Sequence, residues 1–348
     1  MRVEAEMNPP VDNPHDPLYV NHNSLRRKLF NYAVHLHERR RGNSAPGIPG
    51  RIGIDGEGEP VLIVVAAGLV SGAVLLLATV GFELVRRAEG FLNIAHPQLL
   101  VLSGFSAYGF NVLLGLHWML ACLLAIAVTT LVGVVTARLV FWPMRGRPHH
   151  IPMIASVGLA FFMHAVIEFF TGYGVKTMDV PLRETLRVGD VAVASVDQIS
   201  VVIIAAFVVA ALHMWLSHSY SGRALRAMAD NQALAQVRGV NTAYLQYLTW
   251  TVASALAALA GTLIAVTARI YPELGWDQVL LIAAAAIIGG LGSIYGVMIA
   301  AVVVGLTSSL ATLVIPSEYT QMVIFAVIAL VVFVRPDGLF SGPKERVA

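Results

Sequence analysis

The segment Ser221-Gly-Arg-Ala-Leu-Arg-Ala-Met-Ala-Asp230, which continues to Gly239-Val-Asn241, is a polar and basic stretch between two long apolar runs. Small alanines alternate in it with arginines and an aspartate, and this mixture of residues predicts a short helix. One face of such a helix can pack against the protein while the other meets a soluble partner. The sequence therefore indicates the membrane part of a machine whose other part is water-soluble.

The composition is that of an integral membrane protein. The chain has 348 residues, of which 57% are hydrophobic and 13% charged, and its mean hydropathy is +0.72. Soluble proteins carry about 25% charged residues. Residues 1–60 hold 16 of the 44 Asp, Glu, Lys and Arg residues. We predict a polar N-terminal extension at 1–60, partly disordered or interfacial, then a transmembrane domain at 61–342 and a short cytoplasmic tail at 343–348.

Apolar runs follow one another through most of the chain. A helix needs about 20 apolar residues to cross about 30 Å of hydrocarbon. The candidate runs lie at about 61–85, 91–115, 118–141, 151–171, 198–217, 243–269, 277–291, 294–314 and 318–334. We predict an all-α integral membrane protein, a polytopic bundle of eight or nine transmembrane helices.

Basic residues in the short loops predict the orientation, because Lys and Arg concentrate on the cytoplasmic side. The segments 138–149 and 218–242 and the C-terminal tail are basic. The segment 174–197 has four acids beside three basic residues, and 270–276 has one acid, Glu273, and no basic residue. The first three are expected in the cytoplasm and the last two outside. Nine crossings place the basic N-terminal extension outside, and eight follow if 91–115 enters and leaves on one side. Eight and nine crossings both remain alternatives. The stretch 24–41 is either an amphipathic helix on the membrane surface or a flexible tail.

Two segments interrupt the apolar pattern and predict broken or re-entrant helices near 91–104 and 277–296. The first is Gly90-Phe-Leu-Asn-Ile-Ala-His-Pro97, and the second is Gly289-Gly-Leu-Gly-Ser-Ile-Tyr-Gly296. Irregular backbone at membrane depth is tolerated where it is buried or lines a cavity. Transporters also use paired broken helices around a central pathway. The candidate pathway residues in and beside these segments are Asn93, His96, Gln98, Gly289, Gly290, Gly292 and Ser293. Hydrogen bonds between packed helices are the alternative for the polar ones.

Other polar residues of the membrane domain are expected to have structural roles. Glu83, Arg86, Arg87 and Glu89 lie at a predicted membrane boundary, where ion pairs reaching toward water are the default. His164 and Glu168 are four residues apart, so they share a helix face and form either a structural hydrogen bond or a proton relay.

The sequence points away from catalysis by this chain. Its three lysines, Lys28, Lys176 and Lys344, each follow a residue other than glycine, so the Gly-Lys-Ser/Thr nucleotide loop does not occur. If the transporter uses ATP, a separate chain must bind it. The pair His149-His150 has no further ligands spaced nearby, so no metal site is predicted. No catalytic residues and no cofactor are expected here.

Four segments, in order along residues 61–342, resemble the permease family of bacterial branched-chain amino acid ABC importers, the LivH type. Asn93-Ile-Ala-His96 is similar to the family's Asn-x-Ala-His-Gly-Glu. The run from Gly222 to Asp230, with Gly239-Val-Asn-Thr242, resembles its cytoplasmic Gly-Arg-Ala-x-Arg-Ala…Gly-Ile-Asn-Thr loop. Ile288-Gly-Gly-Leu-Gly-Ser-Ile-Tyr-Gly296 and Arg335-Pro-Asp-Gly-Leu339 resemble its later Gly-Gly-Ile-Gly-Ser-x-x-Gly and Pro-x-Gly-Ile/Leu motifs.

The resemblance implies an importer in the bacterial inner membrane. Its expected parts are this chain and a second permease, forming a heterodimer, two cytoplasmic ABC ATPases that bind ATP and Mg²⁺, and a periplasmic or lipid-anchored substrate-binding protein. Membrane lipid surrounds the chain, and no nucleic-acid partner is expected. The segment 218–242 would be the coupling loop that fits a groove on the ATPase. Its residues matching the family are Gly222, Arg223, Arg226, Ala229, Asp230 and Gly239, with Asp230 in place of the family's Glu.

Departures from the family pattern leave the substrate open. Pro97 and Gln98 stand where the family has Gly and Glu, so a charge is missing beside the candidate pathway. The expected substrates are branched-chain or related hydrophobic amino acids, with urea or short-chain amides as the alternative. An ion-coupled secondary transporter that uses His164 and Glu168 is the alternative of another class.

Overall fold

A computed structural model of the chain describes residues 59–181, 185–188, 191–290, 292–316 and 319–335, together with Gly338. The predicted extension up to residue 58 and the predicted tail at 343–348 lie outside the described residues. The domain organisation proposed for both ends therefore stays a prediction.

The described part is mainly helical, as the apolar runs predict. In chain order the helices are α1 (Glu59–Glu89), α2 (His96–Tyr108), α3 (Trp118–Thr136), α4 (His150–Thr171), α5 (Val196–His218), α6 (Tyr220–Asp230), α7 (Gln232–Val237), α8 (Thr242–Thr267), α9 (Leu274–Gly289), α10 (Ile294–Ala311) and α11 (Thr320–Val334). Short π-helical turns at Gly109–Leu113 and Ala137–Phe141 continue α2 and α3. An antiparallel hairpin of β1 (Thr185–Val188) and β2 (Val191–Ser195), which the all-α prediction did not include, precedes α5.

Six helices of the described part are long and apolar enough to cross a membrane. They are Val61–Glu89, Trp118–Met144, His150–Thr171, Val196–His218, Thr242–Thr267 and Ile294–Ala311. The other three predicted spans correspond to shorter apolar helices, α2, α9 and α11, of 13, 16 and 15 residues. At 1.5 Å per residue these rise only about 20–24 Å. The described residues are irregular at 90–95, directly before α2, and at Gly290, Gly292 and Ser293, directly before α10.

Helix α8 forms the centre of the bundle. In its most apolar stretch of 18 residues, 72% of the residues are buried, against 22% in the corresponding stretches of α3, α4 and α5. Helices α1, α2 and α3 pack against α8, and α10 packs along α1. Helices α3, α4 and α5 present large exposed apolar side chains, among them Leu131, Phe162 and Phe207, that suit contact with lipid.

Close packing in the centre depends on small residues. Ala257, Gly261 and Ala265 recur every four residues on one buried face of α8. A Cβ on Gly261 would overlap the backbone carbonyl of Leu100 in α2. Such stripes of small residues let membrane helices approach closely. The Ser103 hydroxyl on α2 also donates a 2.7 Å hydrogen bond to the carbonyl of Ala258.

Segments that the charge pattern assigns to one side lie together at one end of the bundle. Arg145 lies 3.8 Å from Glu89 at the end of α1, and Arg87 lies 3.9 Å from Asp230 of the 218–242 segment. At the opposite end, Lys176 and Ile270 join the two acidic loops by backbone hydrogen bonds of 2.8 and 3.0 Å. The arrangement gives the bundle one basic and one acidic end.

Candidate functional site

The segment 218–242, predicted from the sequence to be a coupling loop, contains two short helices, each started by a polar cap. Ser219 caps α6 by accepting a 2.9 Å hydrogen bond from the amide of Gly222. Asn231 ends α6 and caps α7, because its side chain accepts a 2.9 Å bond from the amide of Leu234. Gly239 has a φ of +81°, which favours glycine, where the chain turns back toward α8. The helix predicted from the sequence is therefore a capped pair.

Helix α6 has one buried face and one exposed face. Gly222, Ala224, Leu225 and Met228 are buried against the bundle. Arg223, Ala227 and Asp230 are exposed on the other side. This matches the two faces predicted from the sequence.

Two arginines tie α6 to the end of α5. The Arg226 guanidinium donates a 2.6 Å bond to the carbonyl of Leu216, and Arg223 donates a 2.7 Å bond to that of His218. Cationic donors near the C-terminus of a helix satisfy its last carbonyls and its dipole. Arg226 therefore has a structural role within this chain. On the exposed face, Ala227 makes no such bond, and Asp230 faces Arg87 of α1 at 3.9 Å while its side chain stays largely exposed.

Side chains in the last two turns of α1 contact α6, α8 and the 138–149 segment at the basic end of the bundle. Glu89 accepts a 2.9 Å bond from the indole nitrogen of Trp250 in α8. Arg145, close to Glu89, also lies over the Trp142 ring, 4.3 Å from its centroid. Phe141 stacks on Trp250 at 5.0 Å. These contacts fix the 138–149 segment to both α1 and α8.

Glu83 is fully buried and holds the glycine-rich turn before α10. Its carboxylate accepts bonds of 2.7 and 2.6 Å from Arg86 and a 2.8 Å bond from the backbone amide of Gly292. The Glu83–Arg86 ion pair forms as the sequence interpretation expects, but Glu83 is fully buried rather than reaching toward water, and its bond to Gly292 was not predicted. No local signal could have found that partner, because it lies 209 residues away along the chain.

Residues 90–98 form a buried polar turn beside α1. The Asn93 side chain accepts a 3.1 Å bond from the amide of Ala95, and His96 Nε2 lies 3.2 Å from the carbonyl of Ala78. Gln98 is fully buried against Gly275 of α9. Neither polar atom of the Gln98 side chain, nor His96 Nδ1, has a hydrogen-bond partner within the described ranges. Asn93 is thus a structural turn residue, while Gln98 and His96 keep unused polar atoms.

Close helix packing and positive φ angles explain the glycines of the second candidate pathway segment, which precedes α10. A Cβ on Gly289 would lie 2.5 Å from the backbone of Val297, so α9 and α10 meet closely there. Gly290 and Gly292 have φ values of +91° and +108°. Ser293 caps α10 through a 3.0 Å bond from the amide of Gly296. The two candidate pathway segments pack on successive turns of α1, one at Ala78 and the other at Glu83.

Sequence comparisons decide the family. The family described as "Branched-chain amino acid transport system / permease component" matches residues 64–332. The chain belongs to this family.

Similar proteins with known names support this family assignment. The high-affinity branched-chain amino acid transport system permease protein BraD of Pseudomonas aeruginosa is 28% identical to this permease over 80% of this chain and 96% of its own. LivH of Escherichia coli K12 is 27% identical with the same coverage. The ribose import permease protein RbsC of Haemophilus influenzae is 28% identical over 36% of this chain and 40% of its own. Among solved structures, PsaBC from Streptococcus pneumoniae in complex with Fab aligns with a TM-score of 0.46 and 13% identity over 84% of this chain and 96% of that one.

The recognition made from the four motifs is therefore confirmed. The permease is a multi-pass protein of the inner membrane and a transporter subunit. Its His164 and Glu168 do lie on one helix, α4, but they form neither a hydrogen bond nor an ion pair with each other, and the His164 ring packs edge-on against Trp276 at 5.8 Å. No group of three His, Cys, Asp or Glu in the described part of the permease is placed to hold a metal ion.

Gln98→Met is expected to stabilise the permease, and Gln98→Glu to destabilise it. The buried amide has no partner among the described residues, and an unsatisfied polar group costs about 1–3 kcal/mol, which Met removes at similar length. A buried carboxylate would cost more. Thermal unfolding of the purified permease measures both, with the same change at the exposed Gln232 as the control. A clear loss of stability in Gln98→Met would contradict the prediction.

Proposed function

We propose that the permease imports branched-chain or related hydrophobic amino acids, powered by ATP hydrolysis on separate chains. The observation that carries this proposal is the family match over residues 64–332, together with relatives named for that transport along 80% of the chain. The expected assembly has a second permease as partner in a heterodimer, two cytoplasmic ATPases that hold ATP and Mg²⁺, and a periplasmic or lipid-anchored binding protein.

Helix α6 is the proposed docking element for an ATPase. It lies at the basic end of the bundle, and its buried face holds it to the bundle through Leu225 and Met228. Its exposed face carries Arg223, Ala227 and Asp230. A helix that is packed firmly on the bundle and has an exposed charged face can transmit the movement of a docked partner, as packed elements shift between discrete positions.

The path of that movement is proposed to run through the end of α1. Asp230 at the end of α6 faces Arg87, one residue beyond Arg86. Arg86 and Glu83 in turn hold the glycine-rich turn between α9 and α10. A displacement of α6 would therefore reach the Gly290 and Gly292 backbone, whose glycines permit conformational change.

Ala227→Arg is expected to release the ATPase partner from the purified complex. A long cation at the centre of the exposed face of α6 would clash with a fitted groove, while the fold of this chain tolerates it because Ala227 is exposed. Co-purification of the ATPase measures the effect, and Thr177→Arg at the acidic end is the matched control. Retention of the ATPase by the Ala227 variant would reject α6 as the docking element.

Uptake of labelled leucine into proteoliposomes tests the function itself. Leucine should enter only when the ATPases, the binding protein and ATP are all present, and an ion gradient should not replace ATP. Uptake of urea or a short-chain amide in place of leucine would shift the substrate assignment. Uptake by the permease alone, driven by a proton gradient and lost in Glu168→Gln, would instead support the ion-coupled alternative.

A further inference from the structure

A cavity of about 390 Å³ opens at the acidic end of the bundle, and its lining includes no residue of either candidate pathway segment, 90–97 or 289–296. Five helices, α1, α5, α8, α9 and α10, and the loop between α8 and α9 surround it. Its volume lies within the range of small-molecule sites, which is about 300–1,000 Å³. The comparisons and the sequence motifs assign no role to it.

The floor of the cavity is aliphatic. Val74 and Leu75 of α1, Ile264 of α8 and Leu281 of α9 line it. Each of these residues lies within a helix, at least one turn from the loop that joins α8 to α9. This floor excludes charged side chains of a ligand and suits a branched hydrocarbon, because burying such a group gains about 25 cal/mol per Å².

The mouth of the cavity is polar and carries one cation. Arg269 and Tyr271 come from the α8–α9 loop, Gln198 from the start of α5, and Ser308 from α10. Arg269 is exposed, and its side chain makes no ion pair or hydrogen bond with any residue that the structure describes. Tyr271 donates a 2.9 Å hydrogen bond to Asp277, and burial beside that carboxylate raises the pKa of Tyr271 to about 12. The tyrosine therefore stays neutral at the mouth, and Arg269 is the positive group.

We infer that this cavity binds a free aliphatic amino acid on the outer side of the permease. The carboxylate of the ligand would meet Arg269, its ammonium group would meet hydroxyl and amide oxygens such as those of Ser308 and Gln278, and its hydrocarbon side chain would fill the floor. The inference rests on the proposed function for the identity of the ligand, and it adds a place of entry that is separate from the glycine-rich turn.

The chain has one native cysteine, Cys122, so one substitution removes its background reaction with a thiol reagent. In a Cys122→Ser background, Ser308→Cys puts one thiol in the cavity and Thr177→Cys puts one on the exposed outer loop. A membrane-impermeant thiosulfonate labels each thiol on the full transporter complex in lipid nanodiscs. L-leucine at about ten times its dissociation constant should slow labelling of Ser308→Cys about tenfold, by mass action. Glutamate and lysine should not slow it, and Thr177→Cys should be labelled equally with or without leucine.

A second substitution tests the cation. Arg269→Gln, in the Ser308→Cys background, should raise the leucine concentration needed for half-protection about tenfold or more, since a charge-assisted hydrogen bond is lost. Ser71→Cys, also in the cavity lining, replaces Ser308→Cys if that variant does not fold.

The outcomes separate this inference from the proposed function. Labelling that leucine does not slow, or a cavity thiol that does not react, overturns the cavity site, even where ATP-driven leucine uptake persists. Protection by leucine in a complex that does not take up leucine supports the site and rejects the proposed transport. Protection of equal strength by glutamate or lysine rejects the aliphatic specificity.

Discussion

Glu83→Leu is expected to lower the stability of the permease by about 3–5 kcal/mol, the cost of breaking a buried ion pair by removing one partner. The substitution leaves Arg86, whose side chain is only 18% exposed, without its carboxylate. It also leaves the amide of Gly292 without its acceptor, so the turn between α9 and α10 loses its anchor. Thermal or denaturant unfolding of the purified variant measures the loss, and leucine uptake should fall with it.

The double variant Glu83→Leu with Arg86→Leu identifies the cause. Replacing both partners of a buried pair by apolar residues is often neutral or stabilising. Most of the lost stability should therefore return, except for the share due to the unpaired amide of Gly292, about 1–3 kcal/mol. Glu168→Leu is the matched control, because Glu168 forms no ion pair in the described part of the chain. A single Glu83 variant as stable as the native chain would contradict the prediction.

Local features of the site could be predicted from the sequence because local physics determines them. The alternation of Ala and Arg between residues 221 and 230 predicts a helix, and the helix is present as α6. The glycines at 289–292 predict a break, and the chain turns there with positive φ at Gly290 and Gly292. Backbone freedom and helix propensity belong to a few neighbouring residues, so one sequence suffices to find them.

Partners distant along the chain could not be predicted. The charge of Glu83 predicts that it needs a donor, but nothing in the local pattern distinguishes Arg86 alone from Arg86 with Gly292. Trp250 likewise meets Glu89 across 161 residues, through the packing of α1 against α8. The apolar run at 91–115 also does not show where its helix begins. Residues 90–95 are irregular, and α2 starts only at His96 before it continues through the π-helical turn to Leu113.

Gly261→Leu should disrupt the contact between α2 and α8. Any Cβ at Gly261 overlaps the backbone of Leu100, and a backbone atom cannot move aside as a flexible side chain can. Overpacking a core costs about 1–3 kcal/mol where side chains adjust, and we expect at least the upper end of that range here. Separation of the helices would also break the 2.7 Å bond between Ser103 and Ala258. Thermal unfolding in detergent measures the loss.

The same substitution at Gly158 should stabilise the permease rather than destabilise it. Gly158 lies within α4, is exposed, and has open space around its Cα. Leucine there adds no clash and improves helix propensity by about 0.8–1 kcal/mol over glycine. The difference between the two variants therefore isolates the close approach of α2 and α8 from the general effect of adding a large side chain to a membrane helix. Equal effects at Gly158 and Gly261 would mean that the small residues on α8 do not determine this packing, and that α2 can move outward without loss.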